Sequence, residues 1–244
     1  MIKALTFDFW GTLYHGSMSA RPLRMKRMNE VLGMHGLAIN QEALDNAERV
    51  AWDTWDRVWR EEYRTLPSND WLRLMLEHMR VTLPPGEVDA LAAYFGESVL
   101  DLEPPLQMVD GMRDVGRRLS ERYPLGIISD TGLSSGAVLR RFLERDEILD
   151  CFACLSFSDE TGVSKPHPDA FLRTLECLGA APAEAVHLGD LTRTDIAGAK
   201  AVGMRAVKFT GANDDTDRSV LPDASLSTYA DFESLIQTWE TQDD

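Results

Sequence analysis

The sequence is short of positive charge. Its 244 residues hold 25 lysines and arginines against 40 aspartates and glutamates, a formal net charge of −15. Such a field repels phosphate polymers and anionic lipid surfaces, so neither nucleic acid nor a membrane is expected as a partner. A small anionic substrate stays compatible where a pocket or a metal ion inverts the local sign. Cysteine is also scarce: Cys151, Cys154 and Cys177, an odd set unsuited to a secreted disulfide scaffold. Cys151 and Cys154 make a single CxxC, too few ligands for the usual zinc site, so all three are expected to be ordinary buried residues. Asp8 arrives too early for a signal peptide, and no apolar run is long enough to span a bilayer, which makes a reducing cytoplasm the expected compartment. Internal repeats and low-complexity tracts are missing as well.

What is present is enough apolar material, 44% of residues, for one large domain or two small ones. It is patterned in two ways. From about Arg21 to Glu103 the spacing is helical throughout: PLRMKRMNEVLGMHG, QEALDNAERVAWDTWDRVWREEY, SNDWLRLMLEHM (with Ser68 or Asn69 as N-cap) and PPGEVDALAAYFGESVL. Trp52, Trp55 and Trp59 recur at three- and four-residue steps and are expected to be helix-packing core rather than a substrate platform. After Pro104-Pro105 strands alternate with helices: PLGIIS, FACLSF, EAVHLG and RAVKFT separated by GMRDVGRRLSERY, SSGAVLRRFLER, PDAFLRTLECLG and TDIAGAKAVG, then a closing helix, YADFESLIQTWE. With KALTF as a first strand, this predicts an α/β fold: a parallel sheet covered on both faces, with an all-helical insertion after its first strand. The acidic tail from Glu240 to Asp244 is expected to fray.

Polar residues gather where these strands end. Asp8 follows KALTF, Ser129, Asp130 and Thr131 follow PLGII, Lys165 precedes a helix, and Asp190 and Asp195 follow AVHLG. Strand C-termini of a parallel sheet share one edge, where ligands bind. Three carboxylates at one point repel unless a hard cation sits among them, so Asp8, Asp190 and Asp195 suit Mg2+. Lys165 can screen a nucleophile and a phosphoryl oxygen. Ser129 and the backbone N–H groups around Thr131 and Gly132 can cradle further oxygens, and Asp8 can attack phosphorus.

In order and spacing, DFWGTL (8–13), IISDTG (127–132), SKPHPDAF (164–171) and GDLTRTDIAGA (189–199) resemble the four motifs of the haloacid dehalogenase (HAD) superfamily of hydrolases, over essentially the whole core. The resemblance implies a Rossmann-like core, residues 1–15 and 106–244, and a mobile helical C1 cap, residues 16–105; the turn residues that bracket it, from Gly16 and at Pro104-Pro105, are expected to be hinges near 16–20 and 103–106. It implies a nucleophile at Asp8, the second-motif hydroxyl at Ser129, the third-motif lysine at Lys165, and metal-side acids at Asp190 and Asp195. The backbone carbonyl of Trp10 joins the metal ligands, and Trp10, Thr131 and Gly132 face the substrate.

Position 10 departs from the phosphatase pattern. Family phosphatases usually place there an aspartate that protonates the leaving group and activates the hydrolytic water. Losing such a group typically costs ~10²–10⁴ in rate. Family dehalogenases place an aromatic residue there, since halide leaves without a proton. They need no metal, carry Ser and Asn in the fourth motif, and use an arginine early in the cap, for which Arg21 and Arg24 are candidates. His15 is a candidate replacement acid, although a histidine after a turn is more often structural; His167 is expected to be a turn residue. Three readings follow: a Mg2+-dependent phosphatase of a small phosphorylated metabolite, a 2-haloacid dehalogenase-like hydrolase acting through an aspartyl ester, and a binder of phosphorylated ligands.

Overall fold

Five of the apolar runs become the strands expected of them: β1 (Ala4–Phe7), β2 (Leu125–Ser129), β3 (Phe152–Phe157), β4 (Ala185–Gly189) and β5 (Arg205–Phe209). The structure, a computed structural model, describes residues 1–16 and 19–243. It adds a sixth strand, β6 (Ala224–Leu226), and the sheet runs β3-β2-β1-β4-β5-β6, parallel throughout. Every residue of β1, β2 and β4 is buried, as helices on both faces require. The short, half-exposed ASL of β6 has no apolar run to announce it. It is pinned at the edge by Asp223 N–H on Ala206 O (2.8 Å) and Thr210 N–H on Leu226 O (2.9 Å).

Between β1 and β2 stand α1 (Arg21–Met34), α2 (Gln41–Glu61), α3 (Ser68–His78) and α4 (Pro85–Glu97). Asn40 caps α2 by accepting the Ala43 N–H at 2.8 Å. The start of α3 differs from expectation: its N-cap is Pro67, with no side-chain cap, and Ser68 is already helical. These helices share a hydrophobic cluster of their own, centred on Met28, Trp71, Met75 and Phe95, none of them exposed. Leu133, from the loop after β2, joins this cluster and ties the block to the core.

The remaining helices flank the sheet: α5 (Met112–Ser120), α6 (Gly136–Arg145), α7 (Ser158–Thr161), α8 (Pro168–Leu178), α9 (Ala197–Val202) and α10 (Tyr229–Asp243). His167 caps α8, its Nδ1 accepting the Asp169 N–H at 3.2 Å. Helix α10 runs to Asp243, and Arg122 (2.7 Å) and the Tyr123 hydroxyl both bind the Glu240 carboxylate. Asp244 lies outside the described residues. The cysteine expectation is also corrected. Cys154 on β3 and Cys177 on α8 form a disulfide, with Cα atoms 6.2 Å apart, leaving Cys151 free. Packing of α8 on β3 brings together two residues that the CxxC spacing keeps in separate thoughts. Among the described residues no helix is long and apolar enough to cross a membrane.

Candidate active site

Asp8 extends β1 by one residue. Its N–H bonds Leu188 O at 2.9 Å, continuing the ladder to β4 and fixing the carboxylate at the sheet edge. The chain then folds back: Leu13 and Tyr14 N–H both reach Phe9 O at 2.9 Å, and Gly11 N–H reaches Tyr14 O at 2.7 Å. Gly11 has φ +75°, and a Cβ there would stand 2.3 Å from Asp190 Oδ2, so both backbone and space demand glycine. Phe9 stacks on Tyr14 at 4.7 Å, and the Tyr229 hydroxyl bonds Thr12 O at 2.9 Å. The turn that carries Asp8 and Trp10 is thus held from two sides.

Asp190 follows β4, and Asp195 sits in the wide helical turn Thr192–Ile196 that leads into α9. A Cβ on Gly189 would lie 2.3 Å from Asp195 Cγ, so this glycine lets the carboxylate fold back over its own strand. Asp8, Asp190 and Asp195 present oxygens within 4.8 Å of one another. Lys165 Nζ lies 2.5 Å from Asp8 Oδ1 and 2.6 Å from Asp195 Oδ1. Asp195 also accepts the Leu191 N–H at 2.9 Å and lies 3.2 Å from His187 Nε2, while Thr6 Oγ1 lies 2.9 Å from His187 Nδ1. Asn213 donates to Asp190 Oδ2 at 2.6 Å.

One ammonium faces three carboxylates in a buried place, and the charges respond. Burial opposes the Lys165 charge, but Asp195, Asp8 and Asp130 outweigh it and hold the lysine protonated well above its usual range. Burial also works against Asp195, which Lys165 and the His187 hydrogen bond nevertheless keep ionised. Asp190 is pushed up to about 7 by burial and then by Asp195. Asp8 is raised by burial, against the pull of Lys165. The cluster has surplus negative charge that a proton or a cation must answer, and its all-oxygen donor set fits Mg2+.

Above this floor opens a cavity of about 410 Å³ lined by both halves of the molecule, a size suited to a small molecule. The core side supplies Asp8, Trp10, Asp130, Gly132, Lys165, Asp190 and Asp195; the helical side supplies Arg24, Trp52, Trp55 and Trp59. The tryptophans therefore do more than pack the block, which corrects the expectation of a purely structural stripe. Trp59 Nε1 donates to Asp130 Oδ2 at 2.8 Å, and Asp130 Oδ1 accepts the Lys165 backbone N–H at 2.8 Å.

The expected residues do not all reach the cavity. Ser129 is buried at the end of β2, its hydroxyl 3.4 Å from Asp130 O. Thr131 is fully buried and takes a different place from the one expected: its N–H donates to Ser158 Oγ at 2.8 Å, and its hydroxyl lies 3.1 Å from the same atom. Gly132, one residue on, does line the cavity. His15 is half-buried, its backbone N–H donating to Gln107 O at 3.1 Å, and among the described residues no histidine lines the cavity. Of the two cap arginines, Arg21 is taken by Asp45 (2.5 Å) and Glu48 (2.6 Å), whereas Arg24 lines the cavity. Two residues were given no role from the sequence. Asp130 was placed with the strand-end polar residues but assigned no function, and the signal for His187 was a lone imidazole inside the buried strand AVHLG.

Comparison with known proteins agrees with this architecture. A family model for haloacid dehalogenase-like hydrolases matches residues 2–203. A glyceraldehyde 3-phosphate phosphatase of Pyrococcus abyssi is 31% identical over 213 residues, covering 86% of this chain and 82% of the relative. An (S)-2-haloacid dehalogenase of Xanthobacter autotrophicus is 25% identical over 99% of this chain and 88% of its own. The crystal structure of a 2-haloacid dehalogenase from Pseudomonas syringae superposes with a TM-score of 0.73 over 98% of this chain and all of its own, at 24% identity, a likeness of fold. Similarity to enzymes of both chemistries leaves the substrate open, but with the family match spanning most of its length the chain belongs to the haloacid dehalogenase-like hydrolases.

Proposed function

We propose that the protein is a Mg2+-dependent phosphatase of a small phosphorylated metabolite, working through an aspartyl-phosphate on Asp8. The observation that carries this is the convergence of Asp8, Asp190 and Asp195 within 4.8 Å, with one lysine to balance them. Together with the Trp10 carbonyl these residues would hold Mg2+, which supplies charge neutralisation for the phosphoryl oxygens. Asp8 attacks phosphorus, forming one P–O bond as the ester P–O bond breaks. Lys165 would steady the attacking carboxylate, and the Gly132 backbone, which lines the cavity, would bind a phosphoryl oxygen; the buried Ser129 would join it only by turning its hydroxyl away from Asp130 O. Water then cleaves the acyl phosphate and returns Asp8. No carboxylate at position 10 protonates the leaving oxygen, so its proton comes from solvent and activated esters react best. Similarity to the glyceraldehyde 3-phosphate phosphatase of Pyrococcus abyssi supports this reading. Residues 16–105 act as a cap closing over the site about 16–20 and 103–106; Ser17 and Met18 of the first hinge lie outside the described residues.

The side chain of Trp10, lining the cavity, favours a second reading: displacement of halide from a 2-haloacid, which needs no proton donor. A panel of phosphate esters and 2-haloacids assayed with Mg2+ and with EDTA separates the two. Metal-dependent phosphate release is expected, abolished in a folded Asp8→Asn variant. Halide release in EDTA, without phosphate release, would reverse the assignment. Ligand binding without turnover of either class would make the protein a binder.

A further inference from the structure

The helical side of the cavity is unusual for a site that handles only a phosphate. Trp52, Trp55 and Trp59 form a continuous aromatic wall, with ring centroids 5.7 Å apart for the first pair and 5.2 Å for the second. Trp10, Val99 and Leu133 extend it as apolar surface. The wall is held rigid at its inner end. Trp59 is fixed through its indole N–H to Asp130, and the Arg193 guanidinium lies over its ring at 3.9 Å. Apart from the Trp55 indole N–H, which has no partner among the described residues, the wall offers a small polyol nothing to bond to; a flat apolar ring would cover it.

On this side of the cavity one cation is among the lining residues. Arg24 on α1 uses its Nε to bond Phe95 O and Ser98 Oγ, both at 2.9 Å. Among the described residues its two terminal amino groups have no acceptor, and the side chain lines the cavity. The nearest carboxylate influence on it, Glu48, is engaged by Arg21 at 2.6 Å. Burial lowers the Arg24 pKa only to about 10, so it stays charged at neutral pH. A desolvated guanidinium with its fork unused is a site for a carboxylate. It is also the second cation of the cavity: Lys165, on the core side, is already held between Asp8 and Asp195.

We propose that the substrate is a phosphomonoester of an alcohol that carries an aromatic ring bearing a carboxylate, with the ring along the Trp52–Trp55–Trp59 wall and the carboxylate on Arg24. The inference rests on the phosphatase reading and adds the chemistry of the leaving group. The test uses three esters of similar alkoxide leaving groups: carboxybenzyl phosphate (3- and 4-isomers), benzyl phosphate and glycerol 1-phosphate. It also uses the two matching unreactive phosphonates, carboxybenzylphosphonate and benzylphosphonate, with binding measured by calorimetry in Mg2+. The expected order in kcat/KM is carboxybenzyl above benzyl above glycerol. The better carboxybenzyl isomer should lead benzyl by about 10- to 100-fold, the range of a charge-assisted hydrogen-bonded contact. Arg24→Met should collapse that lead and Arg24→Lys should restore part of it; Trp55→Ala should narrow the gap between benzyl and glycerol esters by about tenfold. Hydrolysis of all three esters at similar rates would overturn the inference and leave the phosphatase reading intact. Tight, Arg24-dependent binding of carboxybenzylphosphonate with no ester hydrolysed would do the reverse. A wild-type preference for glycerol 1-phosphate would overturn the inference by itself, whatever the variants do.

Discussion

The two sides of the cavity are built by opposite means. The core side is a set of charges crowded onto strand ends, each held by hydrogen bonds to backbone or to a neighbour: Asp195 by Leu191 N–H and His187, Asp190 by Asn213. The helical side is a wall of indole rings whose backing is an apolar cluster around Trp71 and Phe95. On the reading proposed above, charge fixed at the sheet edge would specify what bond is attacked, and apolar shape on the inserted helices what hangs from that bond. Trp10 is the exception, an indole standing on the charged side, packed edge-on against Phe9 at 5.0 Å.

The comparison breaks most sharply at that exception. Trp10→Asp returns a proton donor to the core side and should raise alkyl phosphate turnover far more than that of an activated aryl phosphate, by up to ~10²–10⁴. Steady-state assays of both esters, on variants shown by circular dichroism to be folded, check it; equal rates on both esters in the wild type would mean that another group already supplies the proton. Next in size is Trp71→Ala, which empties the fully buried centre of the helical cluster. A loss of about 3–5 kcal/mol is expected, and because the core sheet has its own cluster, hydrogen exchange should rise in α2–α4 well before it rises in β1 and β4. Uniform exchange would show that the two sides are one cooperative unit.

Asp190→Asn sharpens the electrostatic half of the contrast. Burial and Asp195 oppose ionisation of Asp190, so the metal-free variant should gain on the order of 1–2 kcal/mol at pH 8 while losing the thermal stabilisation that Mg2+ gives the wild type. Paired melting curves with Mg2+ and EDTA read both changes, and a variant that keeps its Mg2+ response would remove Asp190 from the metal site. The smallest effect is expected for Tyr229→Phe, which deletes only the hydroxyl bond to Thr12 O. About 1 kcal/mol should be lost in denaturant unfolding, with little change in the aromatic wall.

The core side was far more legible in the sequence than the helical side. Asp8, Lys165, Asp190 and Asp195 each stand at an element boundary, and a parallel sheet sends such boundaries to one edge. Strands β1 to β5 were legible for the same reason: each is a short apolar run between turn residues. Strand β6 was not, because an edge strand of three half-exposed residues has no pattern to read. For Trp52, Trp55 and Trp59, helical periodicity shows a shared face without showing whether that face meets another helix or a cavity; here it meets both. The Cys154–Cys177 pairing and the approach of Trp59 to Asp130 depend on how separate elements pack, which no local spacing reports.

The divided carboxylate of Asp130 has a consequence for the catalytic cycle. One oxygen holds the Lys165 backbone and the other holds Trp59, so the buried lysine and the aromatic wall share a single anchor. Such sharing is reciprocal: an anion that settles Lys165 in place favours the closed wall by the same free energy with which the closed wall favours the anion. On the phosphatase reading proposed above, inorganic phosphate as product would meet the same lysine. Its departure would then require the Trp59–Asp130 bond to yield, making product release, rather than cleavage of the ester, the slow event for good substrates.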